Sequence, residues 1–170
     1  MAIHKSAGAR LFIGPVVDTD AIEAMSEAAA ITFWEAIIEG DWEEVEEVES
    51  VGEVGDNTEV ATFASLSKRR VRKLKTVRDA GTMQVIVGRD ALDPGQMALI
   101  AAEKTDFNYA FKIEYADART EAHSDSVEYF GGMVLSRPTN IASARDVTKR
   151  TFNVGVNTAI YAVDTAVTPP

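Results

Sequence analysis

A nine-residue stretch, residues 107–115, constrains the fold most, because its side chains alternate strictly between large apolar and smaller or polar ones. The large members are Phe107, Tyr109, Phe111, Ile113 and Tyr115. Successive side chains of a strand point to opposite faces, so this period of two predicts a β-strand with one buried and one wet face. Further strands are predicted around Arg10–Val17, Val127–Ser136 and 149–163, without strand–helix alternation. The pattern favours a mainly β sandwich or barrel over a doubly wound parallel sheet.

One helix is predicted to flank these strands. Asp93 is a good N-cap residue, and Pro94 stands at the first helical position, where its missing N–H costs nothing. We therefore expect a helix from about Pro94 to Lys104. Its predicted buried stripe consists of Met97, Ile100 and Ala101.

A second, short helix is predicted near the N-terminus. Asp18, Thr19 and Asp20 supply capping side chains ahead of Ala21–Ala30, which is rich in good helix formers. Residues 31–38 are a short apolar run that fits either a continuing helix or a new strand. We interpret the chain as a single domain, 1–170, in which residues 1–40 form an N-terminal arm.

A β-hairpin and a long loop are predicted in the middle of the chain. Val71–Arg78 and Thr82–Gly88 flank the short, glycine-ended connection 79–81, which is typical of a hairpin. Met83, Val85 and Val87 share one face of the second strand. Residues 52–68 mix glycine, polar and apolar residues, which indicates a long loop with some strand character. Loops of this length in compact domains are usually functional or disordered.

Charge is distributed very unevenly along the 170 residues. The net charge is −10, but residues 68–78 carry seven cations, and without them the rest of the chain stands at −17. Residues 41–49 form the opposite, acidic block. So acidic a chain is a poor candidate for tight duplex binding, which needs cations along the phosphates. The two blocks instead favour charge pairing, either within one copy or between copies.

No residue pattern carries catalytic or ligand-binding chemistry. The chain has no cysteine, and its two histidines, His4 and His123, lie without any spacing typical of a metal site. The carboxylates of residues 18–23 lack the spacing of a calcium loop and are better explained by helix capping. No nucleophile-elbow motif and no apolar run of about 20 residues occur. We therefore expect no enzyme, no cofactor, no bound metal and no membrane insertion.

Read in order, several segments resemble the major tail tube protein of long-tailed (siphovirus-type) bacteriophages. The segments that carry the resemblance lie between about residues 42 and 163, and they are VESVGEVGDNTEVATF (48–63), RRVRKLKTVRDAGTMQVIVGRDALDPGQMALIAA (69–102), YAFKIEY (109–115), GGMVLSRPTNI (131–141) and KRTFNVGVNTAIYAV (149–163). The ordered combination carries the likeness, because no single piece is diagnostic. The first 40 residues match the family less well.

The resemblance implies a phage tail-tube-like fold, a β-sandwich or barrel with one flanking α-helix. Six subunits would form a ring, and rings would stack into the hollow tube that conducts the genome during ejection. Implied partners are further copies of the chain, the tape measure, tail terminator and distal tail proteins at the tube ends, and DNA that passes without specific binding. The implied location is the virion tail, after assembly in the host cytoplasm. Residues 52–68 would act as an assembly loop between rings.

Two sets of site residues follow from the charge pattern and this resemblance. The predicted inter-subunit interface consists of Glu53, Asp56, Glu59, Lys68, Arg69, Arg70, Arg72 and Lys73. The predicted lumen-facing residues, taken from acids on wet strand faces, are Glu44, Glu46 and Glu114. An acidic bore would repel DNA and let it slide.

Two other functions stay open at this point. A tail terminator or head–tail connector would share the composition but would stop at a closed ring instead of polymerising. An acidic-cleft hydrolase would turn over substrate without assembling.

Overall fold

The computed structural model describes residues 6–66, 70–118, 120 and 123–165. Within these residues the chain is mainly β with flanking α-helices, as predicted. The strands are β1 (Arg10–Val16), β2 (Glu43–Val45), β3 (Val48–Ser50), β4 (Asn57–Ala64), β5 (Val71–Asp79), β6 (Thr82–Gly88), β7 (Tyr109–Glu114), β8 (Val127–Ser136), β9 (Thr139–Asn140), β10 (Lys149–Val156) and β11 (Tyr161–Val163). The helices are α1 (Thr19–Glu23), α2 (Glu27–Glu35) and α3 (Pro94–Glu103), with a 3-10 turn at Glu39–Asp41.

Nine strands form one antiparallel sheet whose two ends are joined by the chain itself. The strand order is β2-β1-β7-β8-β10-β6-β3, with β11 paired to β8 and β9 paired to β10. The end strands β2 and β3 are consecutive in sequence, and Glu46 and Glu47 alone separate them. Glu47 makes this sharp connection with a left-handed backbone, at φ 56°. Because so short a link joins opposite ends of the sheet, the sheet curves round into a barrel-like body.

The main core lies inside this curved sheet. Phe111 and Phe130 stack with their ring centroids 5.4 Å apart, and Phe152 is also fully buried. Each such side chain contributes about 1.5–3 kcal/mol to stability through burial. The predicted core face of β6 is confirmed, because the side chains of Met83, Val85 and Val87 are all completely buried.

Helix α3 closes one side of the body, with its N-cap where the sequence predicts it. The predicted buried stripe is wrong for Met97, which is half exposed, and for Ala101, whereas Ile100 packs partly buried against the core. The fully buried residues of the helix are Gly95, Gln96, Leu99 and Ala102. The helix is rotated because its first turn sits directly on the β2 backbone. A Cβ at Gly95 would overlap the Glu44 carbonyl oxygen.

Asp93 and Gln96 fasten α3 to the link between β2 and β3. The Asp93 carboxylate accepts hydrogen bonds from the backbone N–H groups of Gly95 (3.1 Å) and Gln96 (3.0 Å), and from Glu46 N–H (3.2 Å). The Gln96 amide nitrogen donates to the carbonyl oxygens of Gly88 (2.9 Å) and Glu46 (3.4 Å). This polar pair therefore satisfies backbone groups at the place where the barrel closes.

A second apolar layer covers the outer face of β1 and β7. Helix α2 extends through most of the ambiguous run 31–38 and ends at Glu35, so that run is mainly helical. Trp34 of α2 is fully buried and stacks on Tyr129 of β8. The wet face predicted for residues 107–115 is thus wrong, because Ala110 and Lys112 on that face are buried.

The buried Lys112 is held by aromatic faces and carboxylates. Its Nζ lies 4.2 Å from the ring centroid of Phe12 and 5.2 Å from that of Trp42. The same atom lies 2.9 Å from a Glu114 carboxylate oxygen. A buried ammonium is tolerated where it is paired in this way.

One predicted strand pairing and the predicted length of one strand differ from the structure. The hairpin predicted across residues 79–81 is wrong, because β5 pairs with β4 and β6 pairs with β10 and β3. Gly81 has φ 72° and its carbonyl oxygen accepts from Val156 N–H, so the turn leads the chain out of β5 and onto β10. The long final strand predicted for 149–163 is divided into β10 and β11 by residues 157–160.

Candidate assembly surface

Strands β4 and β5 form a separate two-stranded hairpin with both faces exposed. Residues 57–64 of the predicted loop 52–68 belong to it as β4. Its exposed large apolar side chains are Val60, Phe63, Val71, Leu74 and Val77. An isolated two-stranded hairpin is marginally stable at best, and apolar patches on it mark interaction sites. The hairpin is therefore the prime candidate for contact with another chain.

The register of the hairpin places cations on both of its faces. Phe63 lies opposite Arg72 on one face, and Thr62 lies opposite Lys73 on the other. Val60 lies opposite Lys75, on the same face as Lys73. A shift in register follows at Thr58–Val60. The predicted interface residues Arg72 and Lys73 thus lie on opposite faces of one strand.

The cations of this hairpin have no ion-pair partner among the residues that the structure describes. Five described cations belong to this group: Arg70, Arg72, Lys73, Lys75 and Arg78. The acidic block 41–49 instead uses cations of the body, since Glu44 pairs with Arg10 and Glu49 with Lys149. Charge pairing between the two blocks therefore does not occur within one copy in the described part of the chain. Lys68 and Arg69 lie outside the described residues.

An acidic cleft opens beside the root of the hairpin. It has a volume of about 1140 Å³, and the side chains that line it include no Lys or Arg within the described ranges. Its four carboxylates belong to Glu49, Glu53, Asp56 and Glu128. Glu53 and Asp56 are predicted interface residues, and they reach the cleft on the segment between β3 and β4. Glu59, the third predicted acid, is exposed on β4 itself.

Tyr115 forms part of the cleft wall through its link to Glu128. Its hydroxyl donates a 2.8 Å hydrogen bond to the Glu128 carboxylate. Burial, and then this hydrogen bond, raise the pKa of Tyr115 far above the usual range, so its hydroxyl stays protonated. Sequence reasoning missed both residues. Glu128 lies on β8 and Tyr115 directly follows β7, 13 positions earlier, and no local spacing indicates that they meet.

The predicted lumen acids do not form one surface. Glu44 and Glu114 lie together, because Arg10 contacts both carboxylates, at 3.6 Å and 2.5 Å. Glu114 also pairs with Lys112, so two cations offset this pair of acids. Glu46 lies apart, in the link held by Asp93, and is exposed.

The described residues offer neither a metal site nor a membrane-spanning helix. No cluster of three or more potential metal-binding side chains occurs there. No helix in that part of the chain has both the length and the apolar character needed to cross a bilayer.

Comparison with known proteins gives structural likeness without sequence likeness. No protein-family model and no curated protein matches the chain. A chain in the structure of the anti-feeding prophage (AFP) baseplate is similar, with a TM-score of 0.67 and 8% identity over 96% of this chain and 98% of that one. The SPP1 tail tube is also similar, with a TM-score of 0.56 and 10% identity over 92% of this chain and 76% of that one. At these identities the likeness establishes a shared, tail-tube-like fold.

Proposed function

We propose that the chain is a structural subunit of a phage tail tube, and not an enzyme. Six copies form a ring, and rings stack into a hollow tube through which DNA passes during ejection. The observation that carries the proposal is the β4–β5 hairpin, which projects unpartnered apolar side chains and cations from a body with the tail-tube-like fold. A monomeric protein has no evident use for such a surface, whereas a polymer buries it at every joint.

The finer features of the proposal rest on the resemblance in sequence order and on the SPP1 likeness. They are a long-tailed, siphovirus-type tail, assembly in the host cytoplasm, and contacts with tape measure, terminator and distal tail proteins at the tube ends. An acidic chain suits a conduit for DNA, because like charge keeps the nucleic acid from adhering to the wall.

The second candidate is a ring component that does not polymerise, such as a tail terminator or head–tail connector. It is retained because the AFP structure whose chain shares this fold is described as a baseplate and not as a tube. The two candidates differ in one observable property. A tube subunit forms open-ended stacks, and a ring component stops at a closed ring.

Negative-stain electron microscopy over a concentration series, with light scattering of the same samples, tests the proposal. Hollow tubes or stacked six-fold rings are the expected result. Single closed rings at every concentration would instead support the terminator or connector. A monomer at all concentrations, with or without an added tail-tip fraction as initiator, would contradict both candidates.

A further inference from the structure

The lysine-bearing part of the hairpin does not line the acidic cleft of its own copy. Asp56 and Asn57 line the cleft and also begin the hairpin, so the two features share a root. Lys75 and Lys73 lie opposite Val60 and Thr62 of β4, so the strand carries them about 10 Å and about 17 Å away from Asn57. An extended, paired strand does not bend back on its own first residue. Any occupant of the cleft that resembles this hairpin must therefore come from another copy.

The hairpin and the cleft are complementary in charge. Lys73 and Lys75 lie on one hairpin face, and neither forms an ion pair with a described residue. Glu53 and Asp56 in the cleft likewise form no ion pair with a described residue, although Asp56 borders a second pocket together with Arg78 of its own copy. Glu49, in contrast, already pairs with Lys149. Copies with a net charge of −10 repel one another at most orientations. Two copies attract each other in the orientation that brings the hairpin of one to the cleft of the other.

From this complementarity we infer that the hairpin of one copy occupies the acidic cleft of the next copy. In this contact, Lys73 and Lys75 of the first copy lie opposite Glu53 and Asp56 of the second copy. Val60, on the same face of the hairpin as the lysines, adds apolar contact with the cleft wall. The contact joins different surfaces of two identical chains, so it repeats head to tail and generates a ring or a filament. The inference rests on the proposed self-assembly and names the surface that receives the hairpin.

A charge-swap experiment tests the inference. One variant carries Lys73→Glu and Lys75→Glu, and the other carries Glu53→Lys and Asp56→Lys. Either variant alone places like charges at every joint. We therefore expect the onset concentration, at which light scattering first appears, to be at least about tenfold higher than for the wild type. An equal mixture restores opposite charges at every joint of an alternating assembly. We therefore expect the mixture to assemble near the wild-type concentration.

A control variant separates this joint from a general effect of net charge. Lys104→Glu with Arg145→Glu makes the net charge more negative by the same amount as Lys73→Glu with Lys75→Glu, at exposed positions outside the hairpin and the cleft. It should assemble like the wild type, and all variants should keep the wild-type circular dichroism spectrum.

The possible results distinguish the inference from the proposed function. Assembly of the mixture, but of neither swapped variant alone, supports the inference. If the wild type assembles and the mixture does not, the inference is overturned while the tube proposal stands. The same holds if the swapped variants assemble as readily as the control. A wild type that never assembles overturns the proposed function and the inference with it.

Discussion

Replacing Asp93 by alanine tests how the barrel is closed. The carboxylate accepts three backbone hydrogen bonds, from Gly95, Gln96 and Glu46, and the side chain is 3% exposed. The first two bonds are those of an ordinary helix N-cap, while the third ties α3 to the link between β2 and β3. An exposed cap costs about 1 kcal/mol when it is removed. Here the freed N–H groups of Gly95 and Gln96 instead stay buried, at about 1–3 kcal/mol each. We therefore expect Asp93→Ala to destabilise the protein by about 3 kcal/mol.

The chain offers a matched control in Asp18. This aspartate caps α1 and accepts from the backbone N–H groups of Asp20 (3.1 Å) and Ala21 (3.2 Å). It is exposed and makes no tertiary hydrogen bond to any residue that the structure describes. Asp18→Ala should therefore cost about 1 kcal/mol. For a chain of this size the two losses correspond to melting temperatures lower by about 6–12 °C and 2–4 °C.

Urea unfolding followed by tryptophan fluorescence measures both losses, because Trp34 and Trp42 are buried. The titrations belong at a concentration below the onset of scattering, since assembly would add apparent stability to the folded state. Equal losses for Asp93→Ala and Asp18→Ala, within about 0.5 kcal/mol, would refute the reasoning that the link depends on Asp93.

Three further predictions concern other parts of the molecule. Arg70→Glu with Arg72→Glu should weaken assembly in light scattering far more than it lowers the melting temperature, and equal losses would argue against an interface role for these cations. Gly95→Ala should destabilise the protein by about 2 kcal/mol or more, because its Cβ meets the β2 backbone, whereas Gly40→Ala, which meets nothing, should be nearly neutral. Burial, and then nearby carboxylates, raise the pKa of Tyr129 to about 12 in the folded protein. The stability that the protonated Tyr129 hydroxyl contributes is therefore complete below pH 10 and is lost as the pH rises towards 12. Stability measured from pH 9 to 11.5 should therefore fall less steeply in Tyr129→Phe, and an unchanged slope would contradict this.

Features encoded by neighbouring residues could be predicted from the sequence. The N-cap at Asp93 needs only its own helix, and the alternation of Met83, Val85 and Val87 needs only its own strand. Both are confirmed. The rotation of α3 could not be predicted, because it depends on how closely Gly95 approaches a strand about 50 residues earlier in the chain.

The strand partners in the middle of the chain could not be predicted from neighbouring residues. The connection 79–81 is a true turn, with the Asp79 side chain accepting from Gly81 N–H, but a turn does not specify which strand pairs with β5. A buried face normally fixes the register and the partner of a strand. β5 has no buried face, so its sequence contains no such information.

The candidate site was predictable only in part, for a similar reason. The predicted assembly loop 52–68 contains Glu53 and Asp56, which reach the cleft on one continuous segment. Tyr115 reaches it from the residue directly after β7, and Glu128 reaches it from the facing strand β8. The pairing of Glu44 and Glu114 through Arg10 also needs three adjacent strands, and it places these acids beside cations instead of on an open wall.

The projecting hairpin also carries a risk of misassembly. β4 and β5 each keep one unpaired backbone edge in the described sheet, and Val71, Leu74 and Val77 are exposed along β5. Such edges can template amyloid-like stacking of identical strands. Lys73 and Lys75 flank Leu74, and in a stack of identical hairpins each lysine would lie directly above its own copy. The lysines thus act as gatekeepers: they oppose stacking of like strands while leaving the hairpin free to bind an acidic surface.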